Sequence, residues 1–349
     1  MAFSVVFSDG ANSREWAHMH PSAIRRRKHS QEDEYDDQVH VAEIQAEGDF
    51  HELANVFLPI SISIASFELA CTAMAAPPTT YLLRRDRVEA IRLGSQHLAW
   101  QRHLNHLLDP NIPIKDGMEI ADIGAGTGIW AIEVANQLPS SQVTAFDVAD
   151  THFPSPEYWP SNAKFDLLDL LRDVSSELLG KFDVVHLRMW AFVVRNDDPN
   201  PLIQHAAKLL RPGGYIQWED ARFENSVVKG EPAVQFRQMM RQMSNAARLN
   251  FLWLEELDQR VKCADAQLEV VDFQKQPWLS THIPLVMDTF LVALENSGAI
   301  LGKLKLVDPS VPNSEEWMEA LETLHKDSCK PSGSQLYWLP VTLLARRSG

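Results

Sequence analysis

From about residue 115 onward, apolar positions alternate between two rhythms. Short, nearly unbroken apolar runs at Met118–Ile123, Val143–Val148, around Phe165, Phe182–Leu187 and Tyr215–Trp218 predict five buried strands. Between them, Ile129–Leu138 is spaced as a helix and closed by Pro139, and a helical run follows the third strand to Leu179. Asn200-Pro201 opens another helix, stopped by Arg211-Pro212-Gly213-Gly214. Strand and helix alternating at this spacing mean an α/β protein with a parallel sheet covered on both faces.

The flanks extend this plan. Over Tyr81–Leu108 the residues Val88, Ile91, Leu93, Leu98, Leu104 and Leu107 predict a helix with that stripe facing the core, ended by Asp109-Pro110 and Ile112-Pro113. Beyond the fifth strand, helical material is expected at 230–262 and 284–325. Leu268–Phe273 and Tyr337–Ala345 read as an antiparallel pair finishing the sheet. Residues 1–80 are expected to be a poorly structured extension: a basic run Arg25–Lys28 and an acidic cluster leave residues 1–50 little to bury. Residues 56–67 alternate like a strand, with no role to assign.

Composition narrows the classes of partner. With 32 Lys and Arg against 47 Asp and Glu, the net charge is −15. Such a surface disfavours nucleic acid and anionic lipid as main partners. Cys71, Cys263 and Cys329 are too scattered for a disulfide framework. The start lacks a secretory pattern, and the apolar stretch Val56–Phe67 is too short to span a bilayer. These features together predict a soluble cytoplasmic protein.

The strongest chemical signal is Glu119-Ile-Ala-Asp122-Ile-Gly124-Ala-Gly126-Thr-Gly128-Ile-Trp130, where glycines leave a strand and open a helix. Such a turn lets a nucleotide-like ligand lie against the backbone, although many α/β proteins use one only for packing. Ile129 stands where a dinucleotide fingerprint counted from Gly124 needs Gly or Ala, and Asp122 suits an ammonium group better than a pyrophosphate. Asp147, about twenty residues on at the end of the second strand, is placed to accept from ribose hydroxyls. Asp169 is placed for an adenine amino group. Asp166 competes for that role, and either also reads as a helix cap.

Several ordered stretches carry a family resemblance. They are Tyr81-Leu-Leu with Glu89, Arg92-Leu93 and Gln96-His97; the glycine turn; Phe146-Asp-Val148; Phe153-Pro154; Lys181-Phe-Asp-Val-Val-His-Leu-Arg188; and Leu209-Leu-Arg-Pro-Gly-Gly-Tyr-Ile-Gln-Trp-Glu219. Over residues 81–225 the chain resembles the class I S-adenosylmethionine-dependent methyltransferases, especially a fungal, LaeA-like branch tied to secondary metabolism. The resemblance implies a Rossmann-like, seven-stranded, mostly parallel sheet with helical N-terminal and C-terminal lid additions, a domain of 81–349 with its core at 115–220. It implies that Asp122, Gly124, Gly126 and Gly128 line the methionine portion of S-adenosyl-L-methionine, Asp147 its ribose, and Asp169 with Leu170 its adenine.

At the strand ends, His186 and Arg188 are candidates for work on a small-molecule acceptor. His186 is a base or hydrogen-bonding wall, or else a packed histidine. Glu219 and Asp220 face the acceptor or are solvated. Tyr81, Gln96 and His97 belong to a lid or to plain helix packing, and Met239, Met240, Met243, Phe251, Trp253 and Trp278 to an acceptor pocket or the core. No metal-ligand spacing occurs, so no metal is expected. The activity expected is methyl transfer to a small-molecule acceptor in secondary metabolism. The alternative is a LaeA-like regulator of gene expression, with a nicotinamide-dependent oxidoreductase third.

Overall fold

The computed structural model describes residues 83–172 and 174–349, so the Arg25–Lys28 run, the 56–67 alternation and Tyr81 lie outside the described residues. Strands β1 (Glu119–Ile123), β2 (Gln142–Asp147), β3 (Ala163–Leu167), β4 (Phe182–Arg188), β5 (Leu210–Lys229), β6 (Leu268–Gln274) and β7 (Gln335–Arg347) form one sheet in the order β3-β2-β1-β4-β5-β7-β6. The first five are parallel, and β7 runs antiparallel to both neighbours. This is the expected α/β, Rossmann-like seven-stranded sheet.

Alternation along the strands divides the sheet into two faces. Ile120, Val143, Ala145, Val184 and Leu344 turn to one side and pack with Trp130 and Val134 of helix α2 (Ile129–Gln137). Ala121, Ile123, Val185, Leu187, Ile216 and Trp218 turn to the other and join the main core. That core also takes residues of α3 (Asn200–Leu209), α4 (Glu231–Ala246) and α5 (Leu257–Cys263). Helices α6 (Ile283–Ser297), α7 (Leu301–Lys305) and α8 (Ser314–Ser328) complete the C-terminal addition. The stretch Ile283–Lys305 is long and apolar enough to cross a membrane by composition. In this fold Val286, Met287, Phe290, Leu291 and Leu294 are buried in the core.

Four expectations change. The run to Leu179 is only a 3-10 turn at Ser176–Leu178. The 230–262 stretch breaks into α4 and α5, with Arg248 in the left-handed region at φ 54° between them. Strand β5 is far longer than Tyr215–Trp218, because β7 pairs with it from Tyr215–Arg346 to Lys229–Gln335 across an irregularity between Arg222 and Val227. This pairing carries the sheet beyond the end of β4.

The fourth concerns α1 (Arg87–Leu104), which starts on a capping bond from Glu89 N–H to Asp86 Oδ1. Its predicted stripe is split: Val88, Ile91 and Leu98 are exposed, Ile91 by 66%, whereas Leu93, Leu104 and Leu107 are half-buried. The buried residues are instead Glu89, Arg92, Gln96, His97, Ala99 and Trp100. A buried polar face is tolerable only when its groups are paired. Arg92 grips Glu89 with two hydrogen bonds of 2.8 and 2.7 Å, and the Asn296 amide of α6 donates to the same carboxylate at 3.0 Å.

Candidate functional site

The turn between β1 and α2 is built for close approach. Gly126 and Gly128 lie at φ 57° and 69°, where side chains are disfavoured, and a Cβ on Gly128 would stand 2.1 Å from the Phe165 ring. Leu93 of α1 lies over the turn, with its Cδ1 3.1 Å from where a Cβ of Gly126 would be. The turn is fixed to the end of β2. Gly124 N–H and Ala125 N–H donate to Phe146 O at 2.8 and 2.9 Å, and Gly126 N–H donates to Asp147 Oδ2 at 2.9 Å.

Asp147 is half-buried and takes one further contact, from Ala149 N–H at 3.3 Å. A carboxylate offers about four acceptor positions, so capacity remains for two more donors. Asp169 is also half-buried. It accepts from Leu171 N–H at 3.1 Å and pairs with Arg172 at 3.1 Å, heading the turn after β3. Its neighbour Leu170 is buried, with its carbonyl bonded to His205 Nδ1 at 2.7 Å. Asp166 is exposed and accepts from the adjoining Leu167 N–H.

Sheet register brings the charged strand-end residues together, since Asp122 pairs with His186 and Arg188 with Glu219. His186 is fully buried: its Nδ1 lies 2.8 Å from Asp122 Oδ1, its Nε2 3.5 Å from Glu219 Oε2, and its ring stacks on Trp130 at 3.8 Å. Burial alone lowers the imidazole pKa, but Glu219 and Asp122 outweigh it and leave the value raised. The same pairing holds Glu219 at about 2 against the opposing effect of its burial, with Arg188 and Gln217 assisting His186. His186 therefore sits inside the sheet between two carboxylates, hydrogen-bonded to Asp122 and 3.5 Å from Glu219.

Arg188 carries the network outward. It lies 3.6 Å from Glu219 and donates to His97 Nδ1 at 3.1 Å, while His97 Nε2 meets Glu133 Oε2 of α2 at 2.9 Å. A guanidinium can only donate, so Nδ1 accepts and Nε2 carries the proton. Burial, and then Arg188, lowers the His97 pKa, in keeping with that neutral form. Gln101 donates to the same Glu133 oxygen. His97 is thus the join between α1, α2 and the sheet edge, and Gln96 is buried beside it.

Glu219 and Asp220 are both buried, so neither is a solvated carboxylate. Asp220 faces the opposite side of the sheet. It accepts from Trp190 N–H, Ala191 N–H, Ala221 N–H and Trp218 Nε1–H at 2.9, 3.3, 2.8 and 2.9 Å. Burial nevertheless pushes it up to about 6. It anchors the turn that places the Trp190 ring against Gly124. Among the predicted apolar set, Met240, Met243, Phe251 and Trp253 pack in the core and Trp278 is buried against Trp100 and Trp338, whereas Met239 lines a surface cavity of about 640 Å³ between α4 and α8.

Sequence reasoning missed Leu93 as the cover of Gly126, Glu133 as the partner of His97, and Trp130 as the ring on His186. Trp130 stood within the glycine motif. Glu133 offered no signal, because its role depends on how α1 crosses α2. Among the described residues no cluster of three or more His, Cys, Asp or Glu side chains is arranged to hold a metal ion.

Comparison with known proteins bears on this geometry. Residues 95–272 match a family model described as a methyltransferase domain. A Penicillium protein, methyltransferase grgD, is 34% identical over 151 residues, covering 41% of this chain and 52% of the relative. The secondary metabolism regulator laeA of Coprinopsis cinerea is 31% identical over 102 residues, covering 29% of this chain and 24% of that protein. The chain spans about half the length of the first curated relatives it matches. Among solved structures, the [4+2]-cyclase SpnF aligns with a TM-score of 0.43 at 18% identity, covering 74% of this chain and 82% of that one.

Proposed function

Because the chain belongs to the methyltransferase domain family, we propose that it transfers a methyl group from S-adenosyl-L-methionine to a small-molecule acceptor in fungal secondary metabolism. The observation that carries this reading is the turn at Gly124–Gly128, tied to Asp147 and roofed by Leu93. Asp122, Gly124, Gly126 and Gly128 would line the methionine portion, Asp147 the ribose, and Asp169 with Leu170 the adenine edge.

Charge supports the fit. The linked network holds the carboxylates of Asp122, Glu219 and Glu133 against the Arg188 guanidinium and the imidazole of His186, whose pKa is raised. Carboxylates outnumber the cationic side chains there, which leaves the network net negative in a low-dielectric setting. A sulfonium amino acid carries one net positive charge, so the two complement each other.

When bound, the cofactor supplies a methyl group already activated by its sulfonium. The protein's task is then orientation and exclusion of water. Arg188, with its side chain largely buried, is the network member on the acceptor side of the strand ends. His186 acts through Asp122 and Glu219 as a positioning residue. The reading includes no nucleic-acid or membrane partner and places the protein in the cytoplasm, in keeping with its net charge of −15.

Thermal unfolding tests this reading. S-adenosylmethionine and S-adenosylhomocysteine should each raise the melting temperature while NAD(P) does not, since ligands of the native state stabilise it. Asp147→Asn should reduce that shift, because the ribose loses a charged acceptor. Stabilisation by NAD(P) alone would overturn it. The Coprinopsis match favours a second reading, a regulator of the LaeA kind. Nuclear accumulation that depends on Arg25–Lys28, without methyl transfer, would select it.

A further inference from the structure

One face of α1 runs from the glycine turn to an aromatic patch. Leu93 covers Gly126, His97 meets Arg188, and Trp100 and His103 follow at helical spacing. At 1.5 Å per residue, Trp100 lies about 10 Å beyond Leu93 along the helix axis. There the Trp100, Trp278 and Trp338 rings meet at centroid distances of 4.9 to 5.5 Å, and His103 stands 4.6 Å from Trp278. Trp338 lies on the part of β7 that accompanies β5 past the end of β4. Glu219 and His282 are both near enough to act electrostatically on His103.

This patch holds three polar atoms that are buried without a hydrogen-bond partner: Trp100 Nε1, His103 Nδ1 and His282 Nδ1. Buried polar groups are nearly always satisfied, and leaving one unpaired costs about 1–3 kcal/mol. Three at one aromatic cluster, beside the charged strand ends, amount to an unfilled hydrogen-bonding pattern. The segment 275–282, which carries Trp278 and His282, has no helix or strand, and the Trp278 indole is held by a bond to Trp338 O at 2.9 Å. Entry of a ligand requires this segment to lift, since the unpaired atoms have no exposed surface.

We infer that the patch of Trp100, Trp278 and Trp338 receives a planar aromatic acceptor bearing a hydroxyl or N–H group, which donates its hydrogen bond to His103 Nδ1. The inference rests on the methyl-transfer reading above and specifies the substrate class for it. Burial, and then His282, lowers the His103 pKa, which keeps the imidazole neutral with one nitrogen able to accept. Flat rings suit the site because offset and edge contacts with indoles are favourable. The unpaired Trp100 N–H donates to an oxygen on the same ligand.

The test uses the full chain and two probes, 7-hydroxycoumarin and 7-methoxycoumarin, with S-adenosylhomocysteine binding first measured by calorimetry. With that nucleoside saturating, 7-hydroxycoumarin should bind saturably, quench tryptophan fluorescence, and bind at least fivefold tighter than the methoxy analogue. His103→Phe should abolish the preference between probes. His103→Gln, whose carbonyl still accepts, should retain it. Trp278→Leu should weaken both probes about tenfold with nucleoside affinity unchanged. Saturable binding absent from the wild type, equal affinity for the two probes, or probe affinity unmoved in both Trp278→Leu and His103→Phe would overturn the inference. Failure of the nucleoside itself to bind would instead sink the methyl-transfer reading.

Discussion

Glu219 shows how a single carboxyl can be held charged where burial alone would neutralise it. Its folded value of about 2 lies below the ordinary 4.5, because His186 and Arg188 outweigh desolvation. A depressed acid contributes stability that is fully present above its unfolded pKa and is lost as pH falls through the folded one. Glu219→Gln is therefore expected to cost on the order of 2–3 kcal/mol at pH 7. That gap should close progressively between about pH 4.5 and 2 in denaturant titrations. A gap independent of pH across that window would remove the charged pairing with His186. None of this was legible beforehand. His186 was visible as a strand-end residue, but a sheet register that sets it between Asp122 and Glu219 is a relation between distant segments. The glycines and Asp147, by contrast, carry their geometry locally, through conformational freedom and spacing.

At the scale of elements, α1 is the instructive failure. Val88, Ile91 and Leu98 belong to an apolar stripe, yet the helix turns them outward and buries Glu89, Arg92, Gln96 and His97. Periodicity reads which residues share a face, not which face finds partners. Here Asn296, Glu133 and Arg188 await the polar side. Removing one member of a buried pair strands the other's charge, so Glu89→Ala should lose about 3–5 kcal/mol. Glu89→Leu combined with Arg92→Met should recover most of that, with the orphaned Asn296 amide as the residue of the cost. Equal losses in the single and double variants, measured by urea unfolding, would show that the ion pair is not what seats α1. The inner strands β1, β2 and β4 were legible for the opposite reason: buried over most of their length in a covered parallel sheet, they are predominantly apolar.

At the scale of the whole molecule, the alternation of strand and helix identified the architecture, because parallel strands need crossover helices. The length of β5 escaped notice, since Glu219–Lys229 is largely polar and owes its extension to β7, more than a hundred residues away. β7 occupies an interior position between β5 and β6. A chain ending at Ser334 should accordingly lose the cooperative unfolding transition and near-ultraviolet dichroism of its tryptophans. A truncated chain that melts as the full one does would show that β5 and β6 are held independently of it.

The same interior strand bears on how the protein is made. Among the described strands β7 is made last, so β5 and β6 must wait with their facing edges open until it emerges from the ribosome. Unpaired edges are where nascent chains stick to one another. The completed sheet is thus exposed to its greatest hazard just before the final strand slides home. Yield from cells should depend on chaperone supply and growth temperature more than the finished fold's stability suggests.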